Sequence, residues 1–468
     1  MNGLAPSGTD AQTVSVADRK LILIVVSLAA FLTPFDISAV NLALPSIGTE
    51  FAMDAASLAW VATVYLLTLA IFLVPFGRVA DIYGRKRIFT YGAILFAFAS
   101  FLISLSFSST SIVAFRTFQG FSASLITVTG FAILTSAYPP RERGKVLGIG
   151  VAAVYLGLSI GPFLGGLLTQ YVGWRSIFYV NIPLGIFIAF VSARKLKVDW
   201  AEAKGEPFDF IGSVIYGIAL FSLVFGMTQI PALSGLILII LGVAAAVSFV
   251  FWELRTSFPV FNVGLFVRNR AFAFSNVAAL INYSATFAVT LLLSIYLQSV
   301  RGFSPQIAGT ILIAQPIVQA AVSPLAGKLS DRIEPQIVAS IGMGMTTVGL
   351  IPFIFLTPET PIPFVLASLA ILGFGFGLFS SPNTNAVMSS VERRFYGLAS
   401  GTIGTMRTIG QVLSLAIVQL IFALIIGQAV ITPQSSVLFM QSNQLAFLLF
   451  TVLCFVGIFA SLARGKVR

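Results

Sequence analysis

The chain has 468 residues, of which 57% are apolar and 9% are charged, and its mean hydropathy is +0.99. An ordinary soluble domain carries roughly 25% charged residues, so this composition excludes a soluble globular protein and favours one solvated by lipid. The net charge is +11, there is no histidine, and the single cysteine, Cys454, excludes a disulfide within the chain. Without histidine, an HExxH motif or a GxxxxGK[ST] loop, we expect neither an enzyme nor a metal site.

Fourteen apolar runs are long enough to cross a bilayer, because about 20 residues at ~1.5 Å each match a hydrocarbon core of ~30 Å. The predicted spans begin near Leu21, Leu58, Ile88, Ser111, Val146, Ile177, Phe208, Leu233, Ala271, Ile307, Ile337, Pro363, Gly397 and Leu445. The sequence therefore predicts an all-α polytopic membrane protein.

The basic residues predict the orientation, since cytoplasmic loops retain positive charge. With the N-terminus in the cytoplasm, 23 of the 27 lysines and arginines lie on the cytoplasmic side, and only Arg175 and Arg301 lie outside. This bias favours a multi-pass protein of the cell membrane with both termini in the cytoplasm. It also accounts for the net charge without a nucleic-acid partner.

The N-terminal residues 1–18 are polar, and we predict a disordered cytoplasmic tail there. The first span follows and carries Asp36, about 15 residues or ~22 Å from its cytoplasmic start. This run is too long and too polar at its centre to be a cleaved signal peptide.

A short charged hairpin, GRVADIYGRKR, connects the second and third predicted spans from Gly77 to Arg87. An aspartate contributes little to membrane orientation, so Asp81 calls for another explanation. Its carboxylate can accept from exposed N–H groups at a helix start, and the span that begins near Gly397 starts on the same face. We predict a gating loop that latches the two halves of the protein, formed by Gly77, Asp81, Gly84, Arg85 and Lys86. The alternative is that the basic residues of the loop only set the orientation of the protein in the membrane.

The fifth predicted span carries Gly157, Gly161 and Gly165 at spacings of four residues, which gives the helix a smooth face for close approach by another helix. Pro162 can kink the same span. A closely packed helix that can bend suits a gate, and ordinary helix packing is the alternative.

An internal repeat relates the two halves of the chain. Gly77 and Asp81 return 250 residues later as Gly327 and Asp331, in the stretch PLAGKLSDR that ends at Arg332. At a nearly equal offset, Arg143, Gly148 and Gly161 return as Arg393, Gly397 and Gly410. Two parallel halves around a midplane site are the architecture of alternating-access carriers. The second copy of the loop lacks the basic run, which predicts asymmetric gating.

The repeat divides the chain into predicted domains. We expect an N-terminal six-helix bundle over 19–198 and a C-terminal six-helix bundle over 271–468. Two extra spans over 199–254 form an inserted pair between the bundles. The segment 255–270 mixes apolar and basic residues and is predicted to be an interfacial linker.

Asp36, Arg116 and Arg407 are the three charged residues predicted to lie deep in the membrane, where charges are costly and usually functional. Arg116 lies ~8 Å below the outer edge, at a depth similar to that of Asp36. We predict that these two pair, directly or through water, in at least one state. Burial disfavours a charged carboxylate and a nearby arginine favours it, so opening the pair would change its affinity for a proton. A purely structural ion pair is the alternative.

A polar substrate cavity is expected near the midplane. Its predicted lining residues are Asp36, Asn282, Thr286, Gln315, Gln319, Asn383, Asn385 and Arg407. Arg407 could instead be a structural partner of helix ends. One carboxylate balanced by two arginines argues against divalent cationic drugs, whereas a lipophilic monocation, a neutral drug, an anion or a lipid remains compatible.

From Asp36 to about Gly410, the chain resembles the major facilitator superfamily, and within it the fourteen-helix drug:proton antiporters. The motifs that carry the resemblance are GRVADIYGRKR, FDISAVNLALP (Phe35 to Pro45), RTFQG (Arg116 to Gly120), GLSIGPFLGG (Gly157 to Gly166) and WRSIFYVNIP (Trp174 to Pro183). The resemblance implies the major facilitator fold, and it makes the Gly157 stretch an antiporter motif that includes Pro162. It also implies that the gating loop favours an outward-open state, with Arg85 and Lys86 supporting Asp81.

The expected function is therefore that of a proton-coupled exporter of amphiphilic or lipophilic small molecules, working by alternating access in multidrug efflux. A proton gradient would supply the energy without a cofactor, and the partners would be the substrate, protons and the bilayer, with the protein a monomer. The alternatives are a dedicated exporter, an importer or a symporter of a metabolite, an organic anion or a lipid, or a sensor that does not transport.

Overall fold

The computed structural model describes residues 16–196, 198–392, 396–427 and 436–465, and over these residues the chain is helical with no strand. The helices are α1 Val16–Glu50, α2 Ala55–Tyr83, α3 Arg85–Ser104, α4 Ser109–Ala137, α5 Pro140–Tyr171, α6 Arg175–Lys195, α7 Phe210–Gln229, α8 Leu233–Glu253, α9 Val263–Arg268, α10 Arg270–Thr286, α11 Val289–Ile295, α12 Pro305–Leu312, α13 Ala314–Ser330, α14 Pro335–Ile354, α15 Ile362–Ser389, α16 Tyr396–Ile425 and α17 Ser436–Ala463.

Fourteen of the segments in the described part of the chain are long and apolar enough to span a bilayer, which confirms the predicted all-α fold class. Two of these spans are interrupted. The helices α10 and α11 continue into a π-helical turn, Tyr296–Val300, and α12 and α13 together form the next span. The last span begins at Ser436, well before the predicted Leu445, because polar residues such as Ser442 and Asn443 are buried inside the helix and obscured its apolar run.

The first helix begins earlier than predicted. Residues 16–18 belong to α1 and not to a tail, and Asp18 lies in the first turn, where a carboxylate interacts favourably with the helix dipole. The rest of the predicted tail, residues 1–15, lies outside the described residues.

The helices pack into two groups with an interface between them. In the first half α1 packs on α5, α2 on α4 and α3 on α6, and in the second half α13 and α14 pack on α15 while α10 packs on α16 and α17. The two groups meet where α5 contacts α12 and where α2 contacts α16. The helices α7 and α8 pack on each other, and α7 also contacts α2 and α16.

The outer ends of the two halves are closed by hydrogen bonds. These run from Ser294 Oγ to the Asn41 carbonyl at 2.9 Å, from Gln298 Nε2 to the Leu42 carbonyl at 3.0 Å, and from Tyr171 Oη to Gln306 Oε1 at 2.9 Å. Gly166 of α5 lies so close to α12 that a Cβ atom there would be 2.4 Å from the Pro305 carbonyl oxygen. The structure is therefore closed on the side predicted to be extracellular.

Candidate functional site

A buried ion pair lies inside the first bundle, between α1 and α4. Arg116 Nη1 donates to Asp36 Oδ2 at 2.6 Å, and the side chains are 1% and 0% exposed. The structure thus brings together the two residues that depth alone suggested as partners. A charge buried this deeply is tolerated only when it is paired and hydrogen-bonded.

Two amide side chains complete the coordination of the Asp36 carboxylate. Asn181 of α6 donates to Oδ1 at 2.6 Å, and Gln119 Nε2 donates to the same oxygen at 3.3 Å. Gln119 also accepts from Arg116 at 2.6 Å and donates to Ser100 Oγ on α3 at 3.0 Å. Gln119 lies in the RTFQG motif and Asn181 in the WRSIFYVNIP motif, but their roles as partners of Asp36 could not be predicted from the motifs.

The guanidinium of Arg116 has further partners on α2. Its Nε donates to the Val61 carbonyl at 3.2 Å, and its centre lies 4.2 Å from the centroid of the Tyr65 ring, which is a cation–π distance. Gly120 permits this approach of α4 to α2, since a Cβ atom there would be 2.2 Å from the Tyr65 carbonyl oxygen. Residues of α1, α2 and α4 therefore contribute contacts that hold the arginine.

A cavity of about 120 Å³ lies between the two bundles. It is lined from both halves by Thr33, Pro34, Ile37, Ser38, Asn41, Leu66, Leu69, Thr127, Val154, Tyr155, Leu158, Pro162, Tyr283, Thr286, Phe287, Thr290, Leu312, Gln315, Pro316, Gln319, Phe376, Arg407, Thr408 and Gln411. Four of the predicted cavity residues are among them, namely Thr286, Gln315, Gln319 and Arg407. Sites for drug-sized ligands usually measure about 300–1,000 Å³, so the halves must separate further to admit one.

Four other predicted cavity residues point elsewhere. Asp36 faces the interior of the first bundle, Asn282 is fully buried at 0% exposure, and neither lines the cavity. Asn383 donates to the Ser275 carbonyl at 3.1 Å, and Asn385 donates to Ser330 Oγ at 3.0 Å. The prediction was wrong for these residues because successive residues of a helix point in directions about 100° apart, and depth does not determine the direction.

The helix α1 connects the ion pair with the cavity. Asp36 lies on one face of α1, and its neighbours Ile37 and Ser38 lie on the face that lines the cavity. A shift or rotation of α1 would therefore alter the surroundings of the carboxylate and the shape of the cavity at the same time.

The glycines of α5 pack directly against α1. Added Cβ atoms would lie 2.4 Å from the Phe31 carbonyl oxygen at Gly157, 2.6 Å from Ser38 Cβ at Gly161, and 2.6 Å from Ala39 Cα at Gly165. Pro162 lines the cavity, and its carbonyl oxygen would be 2.3 Å from a Cβ atom at Gly309 of α12. The smooth face predicted from the glycine spacing is thus the surface on which α1 rests.

Besides Asp36, Arg116 and Arg85 of the gating loop, two further charged side chains among the described residues are buried. Glu253 is 4% exposed at the end of α8, and Arg464 is 1% exposed just after α17. Glu253 Oε2 accepts from the backbone N–H of Phe261 at 3.0 Å, which ties the end of α8 to the segment before α9. The sequence analysis missed both because hydropathy assigns charged residues at span ends to the interface.

In the gating loop Arg85 contacts Asp81, as the resemblance implied. Asp81 Oδ1 accepts from Arg85 Nε at 2.7 Å, so its carboxylate faces the loop itself. Lys86 lies in the first turn of α3 and donates its backbone N–H to Asp199. The predicted latch contact is with the start of the span near Gly397, and residues 393–395, directly before α16, lie outside the described residues. Contact with α16 therefore stays a prediction.

An acidic segment that follows α6 holds the basic loop. We call residues 199–206 the acidic clasp, after Asp199, Glu202 and Glu206. Its ion pairs join Glu202 to Arg85 at 2.8 Å, Asp199 to Arg87 at 3.0 Å, and Glu206 to Arg78. Backbone bonds from Arg85 N to Trp200 O and from Ala203 N to Asp81 O, both 2.9 Å, fix the register.

Two glycines of the loop have a steric role. Gly84 has a φ of 113°, and a Cβ atom there would lie 2.5 Å from the Asp199 carboxylate. A Cβ atom at Gly77 would lie 3.0 Å from Val128 of α4. Gly84 therefore permits both the turn and the approach of the acidic clasp.

The pKa of the Glu202 carboxyl is shifted by its position in the acidic clasp. Burial acts to raise the pKa, but the Arg85 guanidinium, a hydrogen bond from Ser136 and the charge of Arg143 together lower it below its ordinary value of 4.5. The folded protein therefore favours the charged form of Glu202.

The second copy of the loop, around Gly327 and Asp331, has fewer described polar contacts than the first. A Cβ atom at Gly327 would lie 2.8 Å from Ser381 Oγ on α15, which shows the same close packing as in the first copy. Asp331 ends α13 at the surface and accepts from Asn385 Nδ2 at 3.4 Å, and Arg332 is exposed. The basic run of the first copy has no equivalent here.

Comparison with known proteins agrees with this architecture. The family model described as Major Facilitator Superfamily matches residues 26–415, and a second match covers residues 275–466. The chain belongs to this superfamily. Two overlapping matches, one reaching across both bundles and one within the second, suit a fold built from homologous halves.

The relatives with similar sequences include proteins named as transporters and as drug-resistance proteins. The chain is 29% identical over 444 residues to the riboflavin transporter RibZ of Clostridioides difficile (strain 630), covering 94% of this chain and 96% of the relative. It is 31% identical over 411 residues to the multidrug resistance protein Stp of Mycobacterium tuberculosis, covering 86% of this chain and 76% of the relative.

A solved structure has the same fold. A bacterial homolog of the human lysosomal transporter Spinster, in an inward-facing and unoccupied conformation, matches with a TM-score of 0.65 and 17% sequence identity. The match covers 96% of this chain and 98% of that chain. The chain is therefore a multi-pass membrane transporter of small molecules with the major facilitator fold.

Proposed function

We propose that this superfamily member is a proton-coupled exporter that exchanges protons for amphiphilic small molecules by alternating access. The observation that carries the proposal is the buried pair of Asp36 and Arg116, joined at 2.6 Å. It is the one ion pair deep in the described spans, and it lies on the helix that also lines the cavity. An ionisable pair inside a membrane protein is a functional site by default.

The coupling would act through α1. When the outer side opens, movement of α1 against the glycines of α5 separates Asp36 from Arg116, and the carboxylate loses the cation that favours its charged form. Asp36 then takes up a proton when it faces the side of higher proton concentration. When the inner side opens, Arg116 returns to Asp36 and expels the proton into the cytoplasm, and the cavity is reset for the next substrate.

The orientation and the gate belong to the same proposal. With both termini in the cytoplasm, the closed ends near Tyr171 and Gln306 face outward and the loop held by the acidic clasp faces the cytoplasm. Tyr155 of α5 hydrogen-bonds Ser380 of α15 between the halves and would part as the inner side opens.

A second candidate function is transport of a specific vitamin-like compound in place of many drugs. The similarity to the riboflavin transporter RibZ spans nearly the whole of both chains and favours this candidate. Both candidates share the cavity and the ion pair, and they differ only in the range of substrates.

The test is substrate-driven proton movement in proteoliposomes that contain the purified protein and an internal pH dye. Riboflavin, ethidium and an organic anion are added in turn to wild type, Asp36→Asn and Asp54→Asn. Asp54 caps α2 outside the membrane, and asparagine still caps a helix, so this variant controls for loss of a carboxylate.

Substrate-evoked proton movement in wild type and in Asp54→Asn, but not in Asp36→Asn, is the expected result. Movement that persists in Asp36→Asn would refute coupling through this carboxylate. A response to riboflavin alone would favour the second candidate function over multidrug export.

A further inference from the structure

The charge of the cavity lining is unusual for an exporter of cations. Among the described residues that line the cavity, Arg407 is the only charged one, and there is no aspartate or glutamate. Asp36, the one deep carboxylate that the sequence supplies, is fully buried on a face of α1 that does not line the cavity, and it is already bonded to Arg116. A cationic substrate would therefore meet a positive charge and no carboxylate.

Arg407 lies where a substrate group can reach it. It lies about 16 Å along α16 from the start of the helix, near the middle of the span. No carboxylate of the described residues forms an ion pair with it. A cation in a region of low dielectric without a counter-ion favours an anion or a strong hydrogen-bond acceptor as its partner.

Neutral amides supply the remaining polarity of the cavity. Gln315, Gln319 and Gln411 come from the second half, and Asn41 comes from the first. Gln319 Nε2 and Asn41 Oδ1 are buried atoms without a hydrogen-bond partner in the protein. A ligand that offers one acceptor and one donor would satisfy both atoms, which are costly to leave unpaired.

Aromatic rings provide the apolar part of the site. Tyr283 and Phe376 pack edge to face, with ring centroids 5.3 Å apart and planes at 78°. Phe287 and Tyr155 also line the cavity. Rings in such arrangements bury large apolar areas and accept another ring in offset or edge-to-face geometry.

We propose that the substrate is an aromatic compound without positive charge, whose acceptor or anionic group binds Arg407 while its polar edge hydrogen-bonds Gln319 and Asn41. This inference rests on the proposed transport function and adds the chemical class of the substrate. It predicts discrimination against cationic drugs of the same size and shape.

The test measures binding and not transport, so that it is independent of proton coupling. Three planar dyes are titrated into the full-length protein in nanodiscs, with fluorescence as the readout. Lumiflavin is neutral, fluorescein is anionic and ethidium is cationic. Wild type is compared with Arg407→Gln, Arg407→Lys and Arg194→Gln, the last of which removes an exposed arginine at the end of α6.

Wild type should bind lumiflavin and fluorescein in competition with each other and bind ethidium much more weakly. Arg407→Gln should weaken fluorescein binding by about tenfold or more, because a charge-assisted bond is lost, and should leave lumiflavin within about threefold. Arg407→Lys should retain fluorescein binding, and Arg194→Gln should match wild type. Retained lumiflavin binding also shows that Arg407→Gln is folded.

Ethidium binding as tight as that of the other dyes, binding of none of them, or fluorescein binding that is insensitive to Arg407→Gln would overturn the inference. The binding assay and the proton assay can fail independently of each other. Selective binding without proton movement would support the proposed substrate class and refute proton coupling. Proton-coupled export of ethidium would support coupling and refute the proposed substrate class.

Discussion

The carboxylate of Asp36 has almost no contact with solvent, yet both of its oxygens are hydrogen-bonded. Arg116, Gln119 and Asn181 come from two other helices and surround it. Replacing both members of such a buried pair is often tolerated, whereas removing one leaves an unpaired charge. The energetics of the pair are therefore strongly non-additive.

At this residue scale, we expect Arg116→Gln alone to lower stability by about 3–5 kcal/mol and the double variant Asp36→Asn with Arg116→Gln to lower it by less. The single change strands the Asp36 charge, and the double change leaves neutral amides of similar shape. Thermal unfolding in detergent, followed by the fluorescence of a dye that labels Cys454 as it becomes exposed, measures the difference, since this cysteine is buried in the folded protein.

Arg194→Gln serves as the control for loss of an arginine, because Arg194 is exposed at the end of α6. A double variant that is no more stable than Arg116→Gln would contradict the argument. It would show that the loss of stability in Arg116→Gln does not come from the unpaired charge of Asp36.

At the scale of elements, the loop between α2 and α3 is held by a segment from elsewhere in the first half of the chain. Glu202 forms two bonds with Arg85, at 2.8 and 2.9 Å, and Ser136 of α4 donates to the same carboxylate at 2.9 Å. The acidic clasp thereby joins the ends of α2, α3, α4 and α6 into one rigid corner. Asp81 is held in this corner through Arg85.

The acidic clasp should make the stability of this corner depend on pH. Because the folded protein lowers the pKa of Glu202 below 4.5, this residue contributes stability above that pH, and the contribution is lost as the pH falls through the lowered value. Glu202→Gln should therefore be less stable than wild type near neutral pH, and the difference should vanish in acid. The Glu202 side chain is 60% exposed, so solvent screening keeps the effect small.

Melting temperatures of wild type and Glu202→Gln between about pH 7 and about pH 3 measure this dependence. Glu359→Gln, which changes an exposed carboxylate in the turn between α14 and α15, is the matched control. A difference from wild type that stays constant over this pH range would rule out the Glu202 charge as its cause.

At the scale of the whole molecule, the two bundles meet through few polar contacts, and most of those in the described residues lie at the outer end. Tyr171 and Gln306 belong neither to the cavity lining nor to the hydrogen-bond partners of Asp36. Alternating access requires that these contacts break once in each cycle.

Cross-linking the outer ends should therefore stop transport. In the variant Tyr171→Cys with Gln306→Cys, a reducible bis-methanethiosulfonate should join the halves, because the two native side chains meet at 2.9 Å. Uptake into proteoliposomes should fall to the background of empty vesicles and recover on reduction. The native Cys454 is buried and should not react.

Tyr171→Cys alone, treated in the same way, controls for modification at a single site. Undiminished uptake by the cross-linked double variant would contradict the requirement for outer opening. It would indicate that the substrate passes without separation of these helices.

The number of spans and the pairing of Asp36 with Arg116 could be predicted because each follows from position along the chain. Apolar length determines which segments cross the bilayer, and distance from a span end determines the depth of a charge. Two deep charges of opposite sign at a similar depth have few other partners.

The directions of side chains could not be predicted in this way. Asn282, Asn383 and Asn385 have suitable depth and polarity, yet each faces its own bundle, while Tyr155 and Gln411 line the cavity without having been singled out. Rotation of a helix about its axis depends on the small residues and neighbours that it packs against. Position along the chain does not contain this information.

The sequence by itself determined a fourteen-span, two-fold repeated membrane protein with one deep ion pair, since hydropathy and charge act over local segments. Only the tertiary structure decided that Asp36 faces away from the cavity, that Arg407 is the charged group of the cavity, and that Glu202 holds the gating loop. These features join residues far apart in the chain, and packing between helices is what brings such residues together.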